Sequence, residues 1–290
     1  MPTVTLRLLA VHAHPDDESS KGSATYAYYV DRGAEVMVVS CTGGERGDIL
    51  NDGLEARAFA ERDMPGLRRI EMDAAARVLG IRHRWLGYVD SGMASEDGSL
   101  PANSFASIPL EISAEPLVRV IREFRPHVLV TYDENGGYPH PDHIRCHEVS
   151  VAARDWAADP SRYPTQGAPW QIAKLYYERT FNSTRMQSVA ERVRDEDPAS
   201  PLLEHFDEMK QRWEGRPDVA TTHVPVGEFF DARDAALRSH ASQVSPDSSF
   251  FFWPNDVQRA AWPYEDFQLI DSKVETAVPE NDLFSGIKGD

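Results

Sequence analysis

Residues 14 to 18 read His-Pro-Asp-Asp-Glu, and residues 138 to 143 read Tyr-Pro-His-Pro-Asp-His. Imidazoles and carboxylates are the donors of a catalytic zinc, which takes three protein ligands and leaves a place for a water whose pKa drops to about 7. His14 and Asp17 stand three residues apart across a turn fixed by Pro15, and His143 arrives from a separate loop to complete such a set. Asp16 is left to point at the water, removing a proton as the nucleophile forms and delivering one to the leaving amine. Two imidazoles and one carboxylate suit ferrous iron (Fe2+) as well as Zn2+.

The second cluster, Asn135 to His143, is permissive at its glycines and rigid at its prolines. With His143 on the metal, His140 is free to act on the scissile carbonyl or the leaving nitrogen, and Asp142 can hydrogen-bond its ring and hold it protonated. Tyr138 can donate to a developing oxyanion or simply pack on the loop. Other readings stay open. The first motif also suits a turn opening a helix, where Asp, Ser and Pro are favoured. His147, four residues past His143, competes for the metal, although the helix direction carries it from the rim and suggests a structural role. His12 lies one pair deeper than His14 on the same strand face, a packed or supporting position, while His83, His127, His205, His223 and His240 show no local partner pattern.

The elements that must position these loops are legible as an α/β pattern of buried strands and crossover helices. Leu6 to His12, Glu35 to Ser40, His83 to Leu86 and His127 to Thr131 read as strands. Ser20 to Asp31, Leu67 to Leu79 and the stripe Leu117, Val118, Ile121, Phe124 read as helices. This predicts a Rossmann-like, mainly parallel sheet flanked by helices. Ligands of such sheets sit beyond the carboxyl ends of the strands, which is where both motifs and the loop Cys41 to Asp48 fall. Residues 1–155 read as the metal-hydrolase core. Residues 156–290 read as a mixed C-terminal portion that completes the sheet and covers the rim, with helices over Glu191 to Glu214 and Phe230 to Gln243 and a wandering tail from Lys273.

The chain has 290 residues, a formal net charge of -17 and 41% apolar residues, enough for a core. Its mean hydropathy is -0.48, and no run approaches the roughly 18 apolar residues of a spanning helix. The acidic balance speaks against nucleic acid and acidic membrane surfaces as partners and suits a small polar substrate. Residues 1 to 10 lack the features of a secretion signal, so the expected compartment is the cytoplasm. Two distant cysteines, Cys41 and Cys146, indicate no disulfide framework. Oligomeric state is not legible.

AHPDDES at 13 to 19 and YPHPDH at 138 to 143, in this order at strand ends, resemble the zinc deacetylases of the GlcNAc-phosphatidylinositol de-N-acetylase-like superfamily. Within it, VHAHPDDESSKG, CTGGERGDILN, VDSGM, RPHVLVTYDENGGYPHPDH, FDARDAALRSHASQ and NDLFSG look like the amidases of mycothiol S-conjugates, so the likeness covers nearly the whole chain.

The resemblance implies cleavage of the amide between the N-acetylcysteine and glucosaminyl-inositol parts of a thiol-sugar conjugate, giving a mercapturic acid. It matches His14, Asp17 and His143 to the zinc ligands and Asp16 to the general base. It matches His140 with Asp142 to an intermediate-stabilising pair and Tyr138 to a catalytic tyrosine. Lys21 falls where the amidases carry a lysine, as a contact to the larger substrate or as a plain surface residue. Glu45, Arg46, Asp48, Arg69 and Asp90 fall where the family grips sugar and inositol hydroxyls, although each alone could form a structural ion pair. The charged segment Asp52 to Pro65 reads as a rim loop that sets substrate choice. The competing activities are deacetylation of N-acetylglucosaminyl-inositol and, from another class, non-catalytic sugar or thiol binding. Detoxification and antibiotic assembly are both roles that the same residues would serve.

Overall fold

The computed structural model describes residues 5–213 and 217–288. β1 (Arg7–His12) occupies the middle of the sheet because its apolar run serves two faces. Leu8 and Ala10 are buried on one side and Leu9 and Val11 on the other. One turn, α1 (Asp17–Ser20), follows. The sequence predicts a single helix from Ser20, but Gly22, at φ +92°, separates that turn from α2 (Ser23–Asp31).

β2 (Glu35–Thr42) leads into α3 (Arg57–Arg62) and α4 (Met64–Leu79). The predicted rim loop from Asp52 is therefore helical over much of its length. Asp63 caps α4 by accepting from the Gly66 amide at 3.0 Å, and Gly80 ends it with φ +70°. β3 (Arg82–Tyr88), α5 (Leu110–Phe124), β4 (Val128–Thr131), α6 (Pro141–Ala158) and β5 (Lys174–Glu178) continue the alternation.

Beyond it lie α7 (Ser183–Glu196), α8 (Leu202–Trp213), β6 (Thr222–Pro225), α9 (Phe230–Ser239), α10 (Asn255–Ala261) and β7 (Tyr264–Ser272). The long helix predicted over Glu191 to Glu214 is divided between α7 and α8 around Pro198 and Pro201; Glu214 itself lies outside the described residues.

The seven strands run in the order β3-β2-β1-β4-β5-β7-β6. β1 to β5 are parallel, and β7 is antiparallel to both neighbours. The direction of winding reverses between β1 and β4, so the loops leaving these adjacent strands flank one crevice. One core layer packs Met72 and Ala75 of α4 and Ala236 of α9 on the sheet, and the other packs Leu117 and Ile121 of α5 and Val149 of α6.

The tail does not wander as the sequence suggests. Glu280 pairs with Lys174 at 2.8 Å, bonds the Tyr176 hydroxyl and accepts from Thr222, and Leu283 and Phe284 are buried in the core. Residues 289 and 290 lie outside the described residues. No helix among the described residues is long and apolar enough to cross a membrane.

Candidate metal centre

The loop after β1 and the start of α6 bring His14, Asp17 and His143 together, with one donor atom of each within 4.8 Å of the others. His143 Nδ1 lies 3.0 Å from the Gly136 carbonyl and so carries the hydrogen, which leaves a lone pair on Nε2. That atom faces Asp17 Oδ2 at 3.3 Å and has no hydrogen-bond partner among the described residues. Gly136 must be glycine here, because a Cβ would stand 2.5 Å from the His143 Cβ and φ is +71°.

His14 follows the same logic. Its Nε2 is 3.3 Å from Asp142 Oδ2 and 3.6 Å from Asp90 Oδ1, and its Nδ1 is 3.5 Å from Asp17 Oδ2. With Nε2–H donated to Asp142, the Nδ1 lone pair joins those of His143 Nε2 and Asp17 Oδ2. Three acceptors facing one another in a buried space need a cation between them. The residues present therefore fit a divalent metal. The carboxylates around this position favour positive charge there: against burial, bonds to Asp142, Asp17 and Asp90 push the His14 pKa well above the ordinary value, so a proton and a metal compete for Nδ1. Burial likewise opposes ionisation of Asp17, but the adjoining His143 imidazole and the Lys21 ammonium hold its carboxyl well below the usual range.

His147 is not part of this group. Its Nδ1 lies 3.0 Å from the Tyr132 carbonyl, and its ring rests on Tyr177. His12 is fully buried between the hydroxyls of Tyr132 and Tyr26, and burial drops its pKa to about 4.

Asp16 sits in the left-handed backbone region at φ +96°, with its amide bonded to Glu18 Oε2. Its carboxylate meets Arg68 Nη2 at 2.9 Å, and burial raises its pKa against the pull of that cation. Lys21 is buried and bonded to Asp17 Oδ1 at 2.6 Å and to Ser20 Oγ at 3.1 Å. It is therefore not a plain surface lysine, and it reaches Asp17 from the lining of a cleft beside the cluster.

The expected pairing of His140 with Asp142 takes a different form. His140 caps α6, its Nδ1 accepting the Asp142 backbone amide at 3.1 Å, while the Asp142 carboxylate turns to His14 and to the Ser91 amide at 2.8 Å. Burial and the neighbouring His14 and His143 lower the His140 pKa to about 4, so Asp142 does not hold this ring protonated. His140 keeps a hydrogen on Nε2 that it can donate. Tyr138 is 44% exposed, with its ring 4.4 Å from that of His143, so the hydroxyl-bearing ring stands at the open side of the cluster.

Among the residues expected to grip a sugar, Glu45, Arg46 and Asp90 form one interlocked group. Glu45 accepts the Asp90 amide at 2.9 Å, the Asp90 carboxylate accepts the Arg46 amide at 3.1 Å, and Arg46 Nε bonds the Asp90 carbonyl. Asp48 is exposed, and its carbonyl accepts from Gln243. Arg69 is misplaced by that expectation. It lies on the exposed face of α4 over Trp85, and its neighbour Arg68 is the arginine that turns inward. The signal was in the helix period, since Arg68 shares the stripe of Met72, Ala75, Ala76 and Leu79.

Two further supports escaped sequence reasoning. Tyr132 stacks on the His143 ring at 4.5 Å and bonds the Ala13 amide, and Glu18 forms a fully buried pair with His240 at 2.7 Å. Neither has a local pattern that would reveal it.

The Asp17 side of the cluster opens into a cleft of about 260 Å³ lined by Asp16, Asp17, Lys21 and Tyr138 and, from the C-terminal portion, by Phe181, Met186, Phe250, Phe251 and Trp253 together with charged side chains such as Glu178, Arg185, Arg233 and Glu265. The profile of PIG-L, described as GlcNAc-PI de-N-acetylase, matches residues 9–154, the stretch that holds His14, Asp17 and His143. The chain belongs to the PIG-L family. It is 47% identical over 293 residues to the mycothiol S-conjugate amidase of Streptomyces coelicolor, covering 99% of each chain. It is 39% identical to a 1D-myo-inositol 2-acetamido-2-deoxy-alpha-D-glucopyranoside deacetylase of Streptomyces avermitilis, over 97% of each. Among solved structures, N,N'-diacetylchitobiose deacetylase from Pyrococcus horikoshii shares the fold, with a TM-score of 0.61 at 18% identity over 91% of this chain and 83% of that one. PIG-L membership makes the protein a hydrolase of amide C–N bonds and decides against a non-catalytic binding role. The hydrolases of this family depend on a metal, and the His-His-Asp site is present here.

Proposed function

We propose that the protein hydrolyses the amide of a mycothiol S-conjugate to a mercapturic acid and glucosaminyl-inositol. The observation that carries this reading is the His14, Asp17 and His143 cluster beside a cleft to which the C-terminal portion contributes Phe181, Met186, Met209, Phe250, Phe251 and Trp253, an apolar surface that suits a thioether-bearing acyl group. The likeness to the Streptomyces coelicolor amidase over the whole chain supports it.

His14, Asp17 and His143 would hold the metal, zinc or ferrous iron, which when bound supplies Lewis-acid polarisation of the carbonyl and a water of lowered pKa. Asp16 takes the proton of the attacking water, and its raised pKa suits a base that returns the proton to the departing amine. His140 donates from Nε2 toward the carbonyl oxygen or the leaving nitrogen. Tyr138 keeps its hydroxyl hydrogen, since burial raises its pKa, and can add a second donor. Water adds to the carbonyl carbon, the C–N bond breaks, and the proton ends on the amine. Arg46, Asp90, Glu45 and Asp48 take the polyhydroxylated half, while Arg68 holds Asp16. Lys21 acts by holding Asp17. Residues 1–155 carry this machinery, and residues 156–290 complete the sheet and cover the cleft. In the cell the reaction would serve detoxification, or an antibiotic pathway that passes through such an adduct.

A second reading is deacetylation of N-acetylglucosaminyl-inositol, supported by the 39% identity to the Streptomyces avermitilis deacetylase. The test is amine release by the metal-loaded protein from a bimane conjugate of mycothiol and from N-acetylglucosaminyl-inositol. We expect kcat/KM at least about tenfold higher for the conjugate. A preference for the acetamide would favour the deacetylase, and cleavage of neither would overturn both.

A further inference from the structure

Much of the cleft is built by C-terminal elements that take no part in holding the metal. Phe181, Met186, Met209, Phe250, Phe251 and Trp253 converge there from the loop before α7, from α7 and α8, and from the segment before α10. Trp253 is fixed edge-on against Phe206 at 4.8 Å and lies under the Arg185 guanidinium, so its position is set before any ligand arrives. The two methionines provide a polarizable surface that adapts to different shapes. At the mouth, Phe250 is 39% exposed and Leu50 is 64% exposed, apolar side chains that a ligand would cover. Glu45, Arg46 and Asp90, tied to one another near His14, contribute nothing to this lining.

An amide substrate has two halves. The charged side chains that share this lining are engaged by the protein, Arg185 and Arg233 with Gln258, Glu265 with the amides of Ala24 and Thr25, and Asp266 with Asn182 and His223, so a polyhydroxylated amine set against the aromatic and thioether groups would leave hydroxyls without partners. The acyl half carries no such burden. We propose that this apolar wall is a subsite for the sulfur substituent of the acyl half, and that it selects long or aromatic S-substituents over small ones. The proposal rests on the amidase reading for the orientation of the substrate. The occupant is a small-molecule substituent, because the cleft is continuous with Asp16 and Asp17 and encloses only about 260 Å³.

The test uses the metal-loaded full chain and S-methyl, S-butyl and S-octyl conjugates of the same thiol-sugar amide, together with calorimetric binding of S-methyl- and S-octyl-N-acetylcysteine. Affinity for the N-acetylcysteine derivatives, and kcat/KM for the conjugates, should rise about two- to fourfold per added methylene until the wall is covered. Phe250→Ser and Leu50→Ser, both at exposed side chains outside the core, should cut the S-octyl advantage several-fold. Equal binding and equal turnover across the series would overturn the subsite while leaving the hydrolase reading intact. Absence of turnover with any conjugate, with the binding preference retained, would remove the amidase reading and keep the apolar subsite.

Discussion

Arg68 Nη2 lies 2.9 Å from Asp16 Oδ2, and the same guanidinium bonds the carbonyls of Pro15 and Gly44. It ties the loop after β1 to the loop after β2 and holds Asp16 in its left-handed conformation. A Cβ at Gly44 would fall 1.9 Å from Arg68 Nη1, so the backbone there leaves room for the guanidinium and nothing more.

Arg68→Met removes the cation that opposes the burial of Asp16. The Asp16 pKa should then rise further, and the acidic limb of the kcat/KM profile should move to higher pH. Stability should fall by about 3 kcal/mol, because a nearly buried pair loses one member. Arg68→Lys should recover little, since one ammonium cannot replace a fork that reaches three acceptors. A pH profile with an unmoved acidic limb would remove Arg68 as the partner that sets Asp16.

Asp142 orients His14 by accepting from Nε2, and its carboxylate is held in turn by the Ser91 amide. Asp142→Ala should weaken metal affinity about 10- to 100-fold, as expected for a group behind a ligating imidazole. Competition with a chromogenic chelator measures this directly. Unchanged affinity would mean that the His14 ring is fixed by other contacts.

The buried Glu18–His240 pair has a defined pH signature. Burial opposes its charge, but His240 and Ser19 pull the Glu18 pKa from 4.5 to about 2, and Glu18 raises that of His240 above 6.5. The depressed carboxyl stabilises the fold above pH 4.5 and loses that effect as pH falls through about 2. The raised imidazole stabilises fully below pH 6.5 and loses the effect as pH rises through its folded value. The stability gap between wild type and His240→Gln should therefore be widest between these limits, at about 3–5 kcal/mol by urea unfolding. A gap independent of pH would contradict the pairing.

The tail clamp makes a separate prediction. Lys174 is fully buried against Glu280, so Glu280→Ala should leave its charge unpaired and cost about 3–5 kcal/mol. Lys174→Met with Glu280→Gln should recover part of that loss, because both buried charges are then gone. Urea midpoints of the single and double variants decide this.

The centre of the fold was legible because its physics is local. Apolar runs at Leu8 to Val11 and Val128 to Val130 mark strands buried on two faces, and histidine-carboxylate motifs follow each of them. The pairing of β1 with β4 then sets the two motifs side by side. What remained hidden depends on distance or on the turn of one residue. His240 is 222 positions from Glu18, and Glu280 is 106 from Lys174, so neither pair leaves a local pattern. Arg69 and Arg68 differ by about 100° around α4, which is the difference between the Trp85 surface and the site. The partner of the Asp142 carboxylate could not be read either, since His14 and His140 are both within reach and only the path of α6 chooses between them.

The central claim is that His14, Asp17 and His143 hold a metal and that Asp16 moves the proton. Its most direct test is metal content and single-turnover amine release measured together on wild type, His14→Ala and Asp16→Asn with a mycothiol S-conjugate. The account predicts one metal per chain in wild type and Asp16→Asn, little in His14→Ala, and a rate in Asp16→Asn reduced by about 100-fold or more. Full metal in His14→Ala, or wild-type turnover in Asp16→Asn, would contradict it.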